Sequence, residues 1–121
     1  MLRFISFGSG SSGNCYYLFT DTDALLIDVG VGLRTLKKHF HDYGKRLDSV
    51  HHILITHDHA DHVKSVGSVC RDFRLPVFTT RKVHEGIERN YCVRQKIIPA
   101  FVHVIEKATP FTLGEFHVTP F

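Results

Sequence analysis

Ile53-Leu54-Ile55-Thr56-His57-Asp58-His59-Ala60-Asp61-His62 is the stretch on which the fold of this chain turns. Its first four residues are a short, mostly apolar run, the pattern of a buried strand. Beyond it, Val63, Val66, Cys70 and Phe73 recur at helical spacing, so Val63 to Phe73 reads as a helix. The turn between them carries three imidazoles and two carboxylates, the donors that hard and borderline divalent cations prefer. On a locally extended backbone, His57 and His59 send their rings to one side. Asp61 and His62 enter the first helical turn and are expected to point elsewhere, which suits two adjacent ions better than one. Histidine makes up 10 of 121 residues, so a solvated, His-rich turn is the plainer alternative. Chance does not readily supply this order of donors at the end of a buried strand, and a metal-ion site is the preferred reading.

Upstream, Met1 to Phe7 and Cys15 to Thr20 read as paired strands joined by the Gly/Ser-rich loop Gly8 to Asn14. That loop lacks the Gly-Lys-Ser/Thr ending of a phosphate-cradling P-loop and leads into a strand, with no helix N-terminus behind it. It reads as a tight turn near the mouth of the site, with contact to a substrate as the alternative. Ala24 to Asp28 is a short apolar strand. Leu33, Leu36, Phe40 and Tyr43 then mark a helix ending at Gly44. Downstream, Pro76 to Thr79 is a strand, and Val83, Ile87 and Tyr91 mark a further helix. Phe101 to Ile105, Pro110 to Leu113 and Glu115 to Thr119 are strands, the last two around a turn at Gly114. Strands mixed with helices that return to one sheet give a layered α/β fold.

A chain of 121 residues forms one small domain, and 43% hydrophobic with 22% charged residues is ordinary globular composition. No apolar run approaches the roughly 18 to 20 residues of a membrane span, and the N-terminus lacks the pattern of a signal peptide. Cys15, Cys70 and Cys92 are odd in number and show no Cys-x-x-Cys spacing, so reduced thiols packed as small apolar groups are expected. A cytoplasmic location follows. The net charge of +3 and pI near 8.9 permit a phosphate-bearing partner without demanding one. The basic clusters Arg34/Lys37/Lys38, Lys45/Arg46 and Arg81/Lys82 also read simply as solvated faces.

Thr56 to His62 resembles the His-x-His-x-Asp-His signature of the metallo-β-lactamase-fold hydrolases. Ala24-Leu25-Leu26-Ile27-Asp28-Val29-Gly30 is similar to the strand ending in Asp-x-Gly that comes before this signature in the superfamily. The opening Phe7-Gly8-Ser9-Gly10-Ser11-Ser12-Gly13-Asn14-Cys15 resembles the YycJ/WalJ-like branch, described as DNA exonucleases. The resemblance implies an α/β chain that is the first αββα half of such a fold, a mixed sheet with helices packed on it. Residues 1–121 would be the N-terminal half of the domain, with the C-terminal half absent from this chain.

It also implies a site for two divalent ions, Zn or Mn, about 3.5 to 4 Å apart. His57 and His59 would serve the first ion, Asp61 and His62 the second. The family's remaining ligands lie beyond Phe121, so the fragment is expected to hold metal partially or not at all and to be inactive. Asp58 and Asp61 are the candidate catalytic carboxylates; a plain solvent-facing role for Asp58 stays open. Asp28 either supports the metal loop from behind, as in the family, or caps the following helix. His103 and His117 are weak candidates for a third ligand. DNA is the expected substrate, with no membrane partner. Exposed sheet edges make self-association an expectation. The competing readings are a thioester, ester or lactam hydrolase on the same fold, and a non-enzymatic metal-binding fragment.

Overall fold

The structure, a computed structural model, describes residues 1–120. Six strands form one sheet in sequential order: β1 (Arg3–Gly8), β2 (Cys15–Phe19), β3 (Ala24–Ile27), β4 (His52–Leu54), β5 (Val77–Thr79) and β6 (Val102–Val104). The first three pair antiparallel through short turns, and β3 to β6 pair parallel. Parallel neighbours need crossovers, which α1 (Leu33–Asp42), α2 (Ala60–Val63) with α3 (Val66–Phe73), and α4 (Arg81–Arg89) provide. Because every crossover steps in the same direction, right-handed connections put all the helices on one face. A hairpin of β7 (Phe111–Leu113) and β8 (Phe116–Val118) completes the chain.

Alternation along the strands decides what faces the helices. Tyr17 and Phe19 of β2, Leu26 of β3, Ile53 of β4 and Val77 of β5 join Leu36, Phe40, Val66, Val69 and Ile87 in one buried cluster. Burying each such aliphatic side chain contributes about 1.5 to 3 kcal/mol, so this single layer carries most of the fold's stability. The opposite face remains partly open. There Leu18, Leu25, Ile27 and Leu54 line a groove of about 410 Å³ with Phe116 and Val118 of the hairpin. The hairpin is fastened at its turn. Asp23 accepts the Glu115 N–H at 3.0 Å, and the Thr20 and Thr22 hydroxyls donate to the Glu115 carboxylate at 2.6 Å.

Two predicted helices come out differently. Val63 to Phe73 is not one helix, because the Ser65 N–H leaves the helical ladder to donate to the Val29 carbonyl at 3.0 Å. The break lets the Asp28–Gly30 loop dock beside the turn. Tyr91 does not lie on α4, which ends at Arg89, and the residue is 90% exposed. At Asn90 the side chain takes one local and one distant partner: its Oδ1 accepts the Cys92 N–H and its Nδ2 donates to the Asp58 carbonyl in the turn after β4.

Candidate metal centre

The C-terminal ends of β3 and β4 lie side by side in parallel register, Ile27 beside Leu54. This places two loops together: Asp28-Val29-Gly30 and Thr56 to His62. Three backbone bonds tie the first loop to the second and to the segments flanking it: Asp28 N–H to the Leu54 carbonyl, Val29 N–H to the His62 carbonyl and Ser65 N–H to the Val29 carbonyl. Such a seam at strand C-termini is where open α/β sheets seat their ligands.

Asp28 sits at the centre of it. The residue is 2% exposed and its backbone is left-handed, with φ 64°. That conformation turns its side chain back under the neighbouring loop, and Asp and Asn tolerate it better than most residues. One carboxylate oxygen accepts the Thr56 N–H at 2.8 Å. The other accepts the Thr56 hydroxyl at 2.6 Å and lies 2.7 Å from His62 Nδ1. The capping alternative fails, since the N-cap of α1 is Gly32, with no side-chain cap. The negative charge of Asp28, added to burial, helps push the Cys15 thiol up to about 12, with burial the larger cause.

The rings gather above this carboxylate. His57 and His59 face the same side, as extended backbone requires, with centroids 6.1 Å apart and planes at 30°. His62 departs from expectation: it does not point elsewhere but packs nearer His57, at 4.7 Å. Its Nδ1 contact with Asp28 draws the ring inward from α2. Asp61 shares that one-turn helix, its Oδ2 lying 3.9 Å from His62 Nε2. Asp58 lies at the edge of the ring cluster, toward α4. Its carboxylate rests over Gly86 of α4, where any Cβ would overlap it, and its Oδ1 is 4.0 Å from His59 Nε2.

The donor chemistry fits divalent ions in part. His57 and His62 both have Nδ1 in contact with an oxygen, the Thr56 hydroxyl at 3.0 Å and Asp28 at 2.7 Å. This leaves Nε2 as the free donor atom, the usual state of a ligating imidazole. Two ligands of one ion at about 2.1 Å are separated by roughly 3.4 Å or more, and the Asp61–His62 separation is of that order. Among the described residues, no three His, Cys, Asp or Glu side chains are gathered closely enough to enclose an ion as they stand. His103 stacks on Phe78 at 4.6 Å, and His117 sits exposed on β8, so neither joins the cluster.

A family model described as a beta-lactamase superfamily domain matches residues 24–121. The chain belongs to that superfamily. Within the superfamily it is YycJ/WalJ-like. It is 36% identical over 87 residues to exodeoxyribonuclease YycJ of Bacillus anthracis, covering 72% of this chain and 33% of that protein. It is 28% identical over 113 residues to exodeoxyribonuclease WalJ of Streptococcus pneumoniae serotype 2, covering 93% of this chain and 42% of that one. Superfamily structures share the fold. Rm3 metallo-beta-lactamase superposes with a TM-score of 0.75 at 15% identity over 96% of this chain and 47% of its own. MEM-A1, a subclass B3 metallo-beta-lactamase from a soil metagenome library, gives 0.71 at 18% identity over 98% and 48%. The chain spans less than half the length of these relatives.

Sequence reasoning singled out the loop Gly8 to Asn14 but not the residue in it that matters to the site. The Asn14 N–H donates to the Asp61 carbonyl at 2.7 Å, and the Gly30 N–H donates to the Asn14 carbonyl at 2.9 Å. The opening loop is therefore stitched to both loops of the site. Gly30 is required at this junction, because a Cβ there would overlap the Asp61 carbonyl. The signal was present in the sequence as a glycine after an acidic strand end, but which backbone approaches it is a fact of tertiary structure.

Proposed function

We propose that the intact protein is a metal-dependent phosphodiesterase that degrades DNA, and that residues 1–121 are the N-terminal half of its catalytic domain. The observation that carries this reading is the Asp28 carboxylate, which holds Thr56 and His62 at once beneath three clustered imidazoles. Buried carboxylates that orient histidines from behind are the usual support of metal ligands. The nuclease assignment is supported by the exodeoxyribonuclease names of the YycJ and WalJ relatives. The mild positive charge is compatible with a phosphate-bearing substrate.

In this reading His57 and His59 hold one divalent ion, Zn or Mn, and Asp61 and His62 hold a second. When bound, such ions activate water for in-line attack and neutralise charge on a phosphoryl oxygen. Asp28 fixes the His62 ring and leaves its Nε2 facing outward. Thr56 relays the same support to His57 through its hydroxyl. Asp61 contributes a carboxylate to the catalytic centre. Asp58, anchored on α4, orients the neighbouring His59. The open groove on the second sheet face is the seat for the rest of the domain, which brings the remaining ligands.

Among the described residues, no helix is long and apolar enough to cross a membrane. We place the protein in the cytoplasm, where its three unpaired cysteines stay reduced. Among the described residues the outer edges of β1 and β6 have no strand partner, and Val102 and Val104 are 38% and 43% exposed. Pairing between copies at these edges is part of the proposal.

Digestion of end-labelled DNA by the intact protein with Mn²⁺ or Zn²⁺ tests the reading, with His59→Ala as the control. Progressive loss of the label by the wild type and none by His59→Ala is expected. Cleavage of thioesters or lactams without DNA cleavage would overturn the substrate assignment. DNA cleavage unaffected by His59→Ala would overturn the site.

A further inference from the structure

We propose that Asn14 is a positioning residue that sets the Asp61 carboxylate for its ion. The inference rests on the reading of Asp61 as a ligand. Asn14 is 8% exposed, and every polar atom of its side chain is committed. Its Oδ1 accepts the Gly10 N–H at 3.1 Å and the Tyr16 hydroxyl at 3.2 Å. Its Nδ2 faces acceptors only: the Gly10 carbonyl at 2.9 Å, the Asp61 carbonyl at 3.1 Å and Asp61 Oδ2 at 3.4 Å. Two amide hydrogens serve these three acceptors, so one is shared between the two oxygens of Asp61. A flipped amide would set oxygen against three acceptors and nitrogen against a backbone N–H. The orientation is therefore forced by the network.

The need for such a clamp follows from the local structure. α2 is a single turn of four residues, too short to hold a side chain by its own packing. The Asp61 side chain is one-third exposed, and within its own loop it meets His62 Nε2 only at 3.9 Å. The donor that reaches both its carbonyl and its carboxylate comes from 47 residues earlier in the chain. An N–H held on Oδ2 restricts the rotation of the group and leaves that oxygen a further lone pair, on the side of His62 Nε2, for the cation. The opening loop thereby takes part in the metal centre without contributing a ligand.

A thermodynamic cycle on the intact protein tests this. Binding of Mn²⁺ is measured by titration calorimetry for the wild type, Asn14→Ala, Asp61→Ala and the double variant, with far-UV circular dichroism to verify folding. Asn14→Ala is expected to weaken binding of one ion about 10- to 100-fold, the usual loss for a residue that orients a ligand. In the Asp61→Ala background, it should weaken binding no further. Asn14→Ser retains a buried polar group but cannot reach Asp61 Oδ2; it should behave like alanine and takes its place in the cycle if alanine does not fold. Tyr16→Phe removes a bond to Oδ1 only and should bind as the wild type does. A wild type that holds two ions, with equal binding by Asn14→Ala or equal losses in both backgrounds, overturns this inference alone. A wild type that holds no ion overturns it together with the functional reading.

Discussion

Replacing Asp28 by alanine should cost more stability than truncating any other polar side chain at the site. The carboxylate is 2% exposed and meets three groups: the Thr56 N–H, the Thr56 hydroxyl and His62 Nδ1. A bond to a charged acceptor contributes about 1.5 to 3 kcal/mol, and a buried donor left without one costs about 1 to 3 kcal/mol. Thr56 is exposed, so its hydroxyl regains a water partner and counts little. The Thr56 N–H and the His62 ring then carry the loss, about 3 to 6 kcal/mol in all. Alanine also has to hold φ 64°, which an L residue with a Cβ adopts only with strain. The Asp28→Asn substitution suits the left-handed backbone and keeps one acceptor, so about half that loss is expected. Urea denaturation of the metal-free protein at pH 7, followed by far-UV circular dichroism, measures both. A loss below about 1 kcal/mol for Asp28→Ala, the size of an ordinary surface change, would refute the claim that this carboxylate organises the turn.

Gly30→Ala should destabilise the metal-free protein by several kcal/mol, because its Cβ overlaps the Asp61 carbonyl and the backbone there is tied on both sides; a melting temperature equal to the wild type's would contradict it. Burial holds the Cys15 thiol at about 12 and also raises that of Cys70. Since only the thiolate reacts, a disulfide reagent at pH 8 should titrate Cys92 alone in the native protein and all three thiols in denaturant. Burial lowers the His52 and His84 rings below their ordinary 6.5. Unfolded chains therefore take up these protons first as pH falls through 6.5, and stability drops on acidification. The urea midpoint should be lower at pH 5 than at pH 7.5, with a shallower drop in His52→Gln; a midpoint that rises toward pH 5 would be the wrong sign.

Much of this fold was legible because its elements are short and cleanly punctuated. The Gly/Ser loop between two apolar segments and the apolar run of β3 were enough to place these strands, and resemblance to the superfamily marked the Asp-x-Gly turn. The Val63–Phe73 helix was misread because the signal that breaks it, an N–H given up by Ser65 to Val29, comes from another strand end. Periodicity reports which residues face a core and is blind to such a bond. The inward turn of His62 was missed for the same reason. Its placement on α2 says nothing of a buried partner, and only Asp28 draws its ring toward His57. Asn14 stood within a motif whose glycines and serines read as a turn. Its role depends on a contact with Asp61, far away in sequence, that no local pattern encodes.

Metal content is the most direct measure of the central claim, that the turn after β4 is built to take divalent cations. Inductively coupled plasma mass spectrometry of the intact protein, dialysed against Mn²⁺ or Zn²⁺ and then freed of excess, should find two ions per chain. The count should fall by at least one in the His57→Ala/His59→Ala double variant. A wild type without bound metal, or a double variant that retains the full complement, would contradict the account.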